Sequence, residues 1–563
     1  MNLFYEIVLE TLKADDRFFT ADGELLRNAV YESAMKMDSN LLKLLYQNET
    51  TRARFFTDVD GISVFDKVGF GWVINNRSFL PDSYTRYKNK IGLTNANGDY
   101  ISTSNDVSLV FPYKDCVLEG GQTREDQKRS EIFYNETLAP DEVDRLLYPK
   151  VLTNAKKYTK DGSYNISTFD NNNVIIKGNN LMALASLLPT YSGKVKLIYI
   201  DPPYNTGGDS FRYNDSFNHS SWLTFMKNRL EIARKLLAED GSIYVQLDYN
   251  EVHYFKVLMD EIFGIDCFQR EIIWDTQVLS GYKTMVENWI RGHDTILFYT
   301  KKTNGFTFHK QKMPHRKEYL DRFDKVDENG RKYFDGRGKI RYLDEAIANG
   351  KPVGDVWYDI MSFQQIPTAK ERVDFSTQKP EALIRRIIES ATNVGDIVLD
   401  FFAGSGTTGV VAHKLGRKYI MCEQMDSQAE IEKERLISVI SGNDPGSLAL
   451  ELNWQGGGSF VYCELAKLNQ NFVERIETAT DGELVGIWND MLKSGFISCK
   501  VNPSDINLED KDFTELSLDD KKRFLMEMLD KNQLYVNYCD MEDETFAVSE
   551  EDKAFTNSFY GEM

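Results

Sequence analysis

Two short stretches of this 563-residue chain combine residue types that can do chemistry. The first is Asp201-Pro202-Pro203-Tyr204, which ends the apolar run Leu197-Ile198-Tyr199-Ile200. Such a run reads as a buried strand, and two prolines in succession stop it, because proline has no N–H to donate to a ladder. An exocyclic base amine is a poor nucleophile while its lone pair is conjugated with the ring. Hydrogen-bond acceptors that draw its protons out of the ring plane make it able to attack a methyl donor. Asp201 can supply a carboxylate for this and Pro202 a carbonyl, held outward by the rigid pair with Pro203. Tyr204 offers a flat face on which a base extruded from a duplex can stack.

The second stretch is "DIVLDFFAGSGTTG", Asp396 to Gly409. An apolar strand runs into Gly404-x-Gly406-x-x-Gly409, and a helix follows. Glycines there permit a tight turn and close approach of a ligand at the strand's C-terminal edge. Seventeen residues beyond Gly406 the next strand ends at Glu423, which is placed to accept hydrogen bonds from a ribose. Alone, the glycine pattern fits a nicotinamide-dinucleotide site or a plain structural turn equally well. No Gly-Lys-Ser/Thr follows, so a Walker loop is excluded. Pairing with the Asp-Pro-Pro-Tyr corner selects methyl transfer.

The elements that position these corners alternate. "NVIIKG", "KVKLIYI", "SIYVQLD", "HDTILFYT", "DIVLDFF" and "KYIMCEQ" read as strands. "NLMALASLL", "WLTFMKNRLEIARKLLAEDG" with a glycine stop, "KPEALIRRIIESAT", "TTGVVAHKLG" and "SQAEIEKERLISVI" read as helices. That alternation predicts an α/β fold with a mostly parallel sheet covered on both faces. Before it, "GELLRNAVYESAMKM" and "SNLLKLLYQN" read as helices among turn-rich segments such as "NANGDY" and "EGGQTRED". After it come a glycine cluster, a further strand and a helix at "SLDDKKRFLMEMLDK", with Ser517 and Asp520 as a capping box. The expected divisions are an N-terminal mixed domain (1–150), a catalytic half-core (151–300), an insert (301–375), a cofactor half-core (376–440) and a C-terminal domain with an acidic tail (441–563).

Composition bounds the class. With 42% apolar residues the chain is globular, and its length predicts two to four domains. No apolar run is long enough to span a bilayer, and "MNLFYEIVLETLKADD" carries acids where a signal peptide carries bases, so the expectation is a soluble cytoplasmic protein without membrane contact. Six dispersed cysteines with no Cys-x-x-Cys pair predict neither a metal site nor a disulfide framework. The net charge of −20 is uneven: residues 501–563 carry 17 acids and 6 bases, whereas residues 301–341 carry 13 bases and 6 acids. A basic segment inside an acidic chain fits a local phosphate-binding surface, and equally a solvated loop.

With these residues in place, the chain resembles the S-adenosylmethionine-dependent amino-methyltransferases of DNA. The catalytic corner precedes the cofactor loop, an order that resembles the circularly permuted β class. "FFTDVDGISVFD", "FLPDSYTRYKNKIGLT", "KDCVLEGGQTREDQKRSEIFYNETLAPDEVDRLLYPKVLTN", "QLDYNE" and "FLMEMLDKNQLYVN" extend the resemblance to the modification (Mod) subunits of type III restriction–modification systems. It implies a Rossmann-like methyltransferase fold, permuted, with N-terminal, target-recognition and C-terminal additions. It also implies transfer of a methyl group from S-adenosyl-L-methionine to the N6 amine of a flipped adenine in double-stranded DNA. Catalysis would fall to Asp201, Pro202, Pro203 and Tyr204. The cofactor would lie against Asp400, Phe401, Phe402, Ala403, Gly404, Ser405, Gly406 and Thr407, with Glu423 on the ribose. Thr377, Gln378 and Lys379 of "STQKPEAL" would close the pocket. A homodimer and a separate restriction (Res) helicase–nuclease subunit are further implied partners. The alternatives are cytosine-N4 methylation and a DNA-reading subunit serving mainly as specificity factor for a nuclease. The sequence departs from the family at Gly178-Asn179-Asn180, where Gly-Asp-Asn is usual.

Overall fold

The computed structural model describes residues 3–19, 25–59, 62–75, 146–171, 173–205, 219–276, 285, 287–336, 338–498, 503, 506–508, 510–530 and 533–561. The chain divides into two compact units, residues 1–92 and 93–563. In the first, helices Leu3–Leu12, Arg27–Met35, Ser39–Gln47, Glu49–Phe55 and Lys67–Asn75 enclose Val8, Leu12, Leu41, Leu45, Phe55 and Phe70. Asp38 and Asn48 cap the third and fourth of these helices by accepting two backbone N–H groups each. The turn segments "NANGDY" and "EGGQTRED", the stretch at 79–94 and most of the stretch at 114–154 lie outside the described residues.

The second unit is built on one large sheet. Its strands are β1 (Leu152–Thr159), β2 (Gly162–Asn165), β3 (Asn173–Lys177), β4 (Val195–Ile200), β5 (Leu237–Leu247), β6 (Phe268–Asp275), β7 (His293–Thr300), β8 (Val356–Trp357), β9 (Ile397–Asp400), β10 (Lys418–Glu423) and β11 (Ser459–Leu465). Among the described residues these eleven lie in the order β8-β6-β7-β5-β4-β9-β10-β3-β11-β1-β2. The stretch from β5 to β11 is parallel throughout, while β7 and β1 run against their neighbours.

Alternate strand residues pack on opposite faces. Ile198 and Ile200 join the cluster under α1 (Asn180–Tyr191), α2 (His219–Leu236) and α3 (Val252–Phe263). Leu197 and Tyr199 join the one under α4 (Glu381–Ala391), α5 (Thr407–Lys414) and α6 (Asp426–Ser441). Burial on both sides is why these strands read as continuous apolar runs rather than alternating ones.

Three local differences from the sequence reading have physical causes. The helix expected to continue to Gly241 ends at Leu236, because Leu237 already pairs with Val195. Gly241 serves close backbone approach instead: a Cβ there would meet the carbonyl oxygens of Lys196, Ala238 and Val195 at 2.9–3.0 Å. Ser517 accepts from the Asp520 N–H at 3.1 Å, but the Asp520 carboxylate returns to the Ser517 hydroxyl and not to its backbone. The acidic C-terminal stretch is folded rather than free. Helix α7 (Glu550–Tyr560) buries Phe555 and Phe559 in the core, and the Tyr560 hydroxyl donates to the Lys150 carbonyl at 2.6 Å. Its acids cluster in the first turn, where the helix dipole favours them.

The basic insert forms a small three-stranded antiparallel sheet (Lys325–Val326, Lys332–Gly336, Lys339–Tyr342) and two short helices. It returns to the main sheet as the edge strand β8.

Candidate active site

Strands β4, β9 and β10 are parallel neighbours, so their C-terminal ends deliver Asp201, Asp400 and Glu423 to one edge of the sheet. Although 199 residues separate Asp201 from Asp400 in sequence, Ile198 and Leu399 are paired across the ladder. A cavity of about 770 Å³, open solvent included, lies over this edge. Its wall holds both corners: Asp201, Pro202, Pro203 and Tyr204 from one, and Asp400, Phe402, Ala403, Gly404, Ser405, Thr407 and Thr408 from the other. Thr377 and Lys379 complete it, together with Tyr199, Phe375 and Ile384.

At the Asp-Pro-Pro-Tyr corner, the Trp222 indole N–H donates to the Pro203 carbonyl at 2.9 Å. Among the described residues no donor meets the Pro202 carbonyl. The chain then turns through Asn205, left-handed at φ +58° and held by Glu251 through its amide at 2.5 Å. The Tyr204 hydroxyl donates to Asp201 Oδ1 at 2.7 Å and lies 3.4 Å from Asp294 Oδ2. The Lys379 ammonium meets Asp201 Oδ2. Burial pushes the Asp201 carboxyl above its ordinary range, and the charge of Lys379 opposes that rise.

Behind Tyr204, Gln246 donates to Asp294 Oδ2 at 3.0 Å and accepts the Tyr199 hydroxyl at 2.8 Å. Arg291 spans Asp294 and Asp248, 3.0 Å from the latter's Oδ2. The reversal of β7 makes this network possible, since it brings the strand's first residues to the edge where its neighbours end.

The cofactor-type loop turns through Gly404 (φ +53°) and Gly406 (φ +72°), conformations that favour glycine. The Gly404 N–H donates to Glu423 Oε2 at 2.9 Å, while Oε1 accepts from Gln424 and Met425. Asp400 accepts the Phe402 N–H at 3.0 Å and the Thr408 hydroxyl at 2.6 Å. Burial, with Asp201 and Glu423 nearby, pushes its carboxyl up to about 7. Beneath the loop, Arg435 donates to the Ser405 carbonyl at 2.7 Å and the Thr407 hydroxyl at 2.9 Å. It belongs to a buried set in which Lys414 bridges Glu381 (2.6 Å) and Asp444 (2.5 Å).

Four of the residues expected at the site stand behind its wall. Phe401 is in the core and its carbonyl accepts the Asn180 amide at 2.8 Å. Gly406 caps α5 against Glu432. Gln378 ties its own turn together, donating to the Glu371 carbonyl and accepting from the Val373 N–H. Glu423 braces the loop through the Gly404 N–H, while its other oxygen holds the Gln424 and Met425 N–H groups of its own turn. Asn179, the departure from the family pattern, caps α1 by accepting the Leu181 N–H at 2.9 Å. Sequence reasoning missed Phe375, Ile384, Asp294, Arg291 and Arg435. A carboxylate at the start of the otherwise apolar "HDTILFYT" was the available signal for Asp294; the pattern around Arg435 is that of any solvated helix.

Residues 195–434 match the DNA methylase family, and residues 38–93 match the type III restriction/modification enzyme methylation subunit family. The chain is 33% identical to the probable type III restriction-modification enzyme HindVI Mod subunit of Haemophilus influenzae, over 95% of both chains. This chain belongs to the type III Mod subunit family. It is an S-adenosyl-L-methionine-dependent DNA methyltransferase of a type III system. The StyLTI Mod subunit of Salmonella typhimurium is 28% identical over 45% of this chain and 52% of that relative. Among solved structures, the M1.HpyAVI–SAM complex is 21% identical, covers 47% of this chain and 98% of that one, and has a TM-score of 0.32. The cavity suits this cofactor: aromatic and aliphatic walls (Phe375, Phe402, Ile384) flank a glycine turn, with a buried carboxyl at Asp400 for an ammonium group. No described helix is long and apolar enough to cross a membrane.

Proposed function

We propose that the chain methylates the N6 amine of an adenine flipped out of double-stranded DNA. The observation that carries this is the single cavity shared by the Asp-Pro-Pro-Tyr corner and the glycine loop. S-adenosyl-L-methionine supplies an electrophilic methyl group on a sulfonium, and its departure leaves a neutral thioether. Asp400 would hold the amino group of the methionine part, the backbone at Phe402–Gly404 would lie along it, and Glu423 would meet the ribose if it releases the Gly404 N–H. Asp201 and the Pro202 carbonyl would accept hydrogen bonds from the amine's two N–H groups and turn its lone pair toward the methyl group. Once the C–N bond has formed, the nitrogen is acidic and Asp201 is the base placed to take its proton. Tyr204 would stack on the base.

The basic insert, about 301–375, is the proposed target-recognition element, with a Res helicase–nuclease subunit and a second copy of this chain as partners. Transfer of a labelled methyl group to duplex DNA tests the catalytic assignment. Asp201→Ala is expected to lose about 10²–10³-fold or more in rate while DNA binding survives, as for other single groups that stabilise a developing charge. Normal transfer by that variant, or N4-methylcytosine as the product, refutes the proposal.

A further inference from the structure

Both oxygens of Asp201 are engaged before any base arrives. Oδ1 accepts the Tyr204 hydroxyl at 2.7 Å, and Oδ2 meets Lys379, which also donates to the Thr377 carbonyl at 3.3 Å. The side chains of Lys379 and Asp201 are only 11% and 18% exposed, so water screens the pair little. Two carboxyls lie near Asp201, Asp400 at the end of the adjacent strand β9 and Asp294 at the start of β7, one strand further across the sheet beyond β5, and Tyr199 lies near it on β4 itself. Arg291 is spent on Asp294 and Asp248 and reaches the site only through Asp294 and the face of Tyr204.

The two partners of Asp201 differ in what else they can do. The Tyr204 hydroxyl has a second acceptor waiting, Asp294 Oδ2 at 3.4 Å, which Gln246 and Arg291 hold in place. Lys379 has no second carboxylate among its described contacts.

We propose that Lys379 is a positioning residue for methyl transfer: it holds Oδ2 and keeps the buried Asp201 ionised, so that Oδ1 receives the target amine as the Tyr204 hydroxyl passes to Asp294. This differs from the pocket-closing role that resemblance implies for Lys379, and it rests on Asp201 being the amine acceptor. Loss of the cation leaves burial and the nearby carboxyls opposed by the Tyr204 hydrogen bond alone among the described contacts, a change that raises a carboxyl's pKa.

The test uses the full chain with Lys379→Met, Lys379→Gln as a second neutral variant, and Lys379→Arg. Methylation of duplex DNA is followed across pH, and cofactor binding is measured by calorimetry on the same preparations. In the neutral variants the acid limb of the rate profile should move up by roughly 1–3 pH units. Cofactor affinity should stay within about twofold of wild type, less than 0.5 kcal/mol, and Lys379→Arg should restore the limb. An unmoved acid limb together with cofactor binding weakened about tenfold or more assigns Lys379 to the cofactor and overturns the proposal. Asp201→Ala run alongside separates two kinds of failure. If it still methylates, the reading of Asp201 itself falls; if it is inactive and the limb stays put, only the role of Lys379 does.

Discussion

Replacing Gly406 by alanine adds one methyl group at the place where the cofactor loop turns over α6. The backbone there has φ +72°, which costs an L-residue roughly 1–2 kcal/mol. The new Cβ would stand 2.6 Å from Glu432 Cγ and 3.1 Å from both its Cα and Cβ. Glu432 is fully buried, and with its backbone atom among the crowded ones it cannot simply swing aside. Overpacking of this kind costs about 1–3 kcal/mol. The sum, about 2–5 kcal/mol, must appear as lost stability, as lost cofactor affinity through a displaced loop, or as both. If all of it falls on binding, affinity drops roughly 30- to 4,000-fold. Gly404→Ala is the internal control. It is also left-handed, but its Cβ would meet the edge of the Phe375 ring at 3.3 Å, which a shift of a few tenths of an ångström relieves. Thermal unfolding of both variants should rank Gly406→Ala as clearly the more damaging, and titration calorimetry of Gly406→Ala with S-adenosyl-L-methionine reads the share that falls on binding. Equal effects, or wild-type affinity and melting for Gly406→Ala, refute the reasoning.

Three other outcomes are expected. Asp400 is pushed up to about 7 in the folded chain. The unfolded chain therefore releases that proton first, and the contribution of Asp400 to stability falls as pH rises from about 4 to 7. A cationic amino group favours the ionised form, so cofactor binding should release protons and tighten up to about pH 7; calorimetry in buffers of different ionisation enthalpy reads this, and flat affinity between about pH 5.5 and 7 refutes it. Arg435→Met breaks a buried ion-pair set and frees the Ser405 carbonyl and Thr407 hydroxyl. Such losses cost about 3–5 kcal/mol, so melting and cofactor affinity should both fall, and a silent substitution refutes the bracing role. Exchange of residues 301–375 for a relative's insert should change the methylated site found by modified-base sequencing; an unchanged site places recognition elsewhere.

The sequence by itself determined where two conformationally constrained corners lie. Two prolines after an apolar run, and glycines after another, carry conformational constraints that hold in any fold, so the Asp-Pro-Pro-Tyr corner and the glycine turn were legible from the sequence alone. The alternation of strands and helices between them was legible for the same local reason, since strands buried on both faces and amphipathic helices leave distinct patterns. What the tertiary structure alone decided is which side chains share a wall. Pairing of Ile198 with Leu399 brings the two corners together, and the reversed β7 carries Asp294 to them. The folding-back of the acidic end was hidden too, because its charge pattern reads as solvated while Phe555 and Phe559 do the packing. Lys379 shows the difference most plainly. Its motif says only that it lies near the loop, whereas its contact with Asp201 depends on a segment 178 residues away, a distance over which local propensity has no influence.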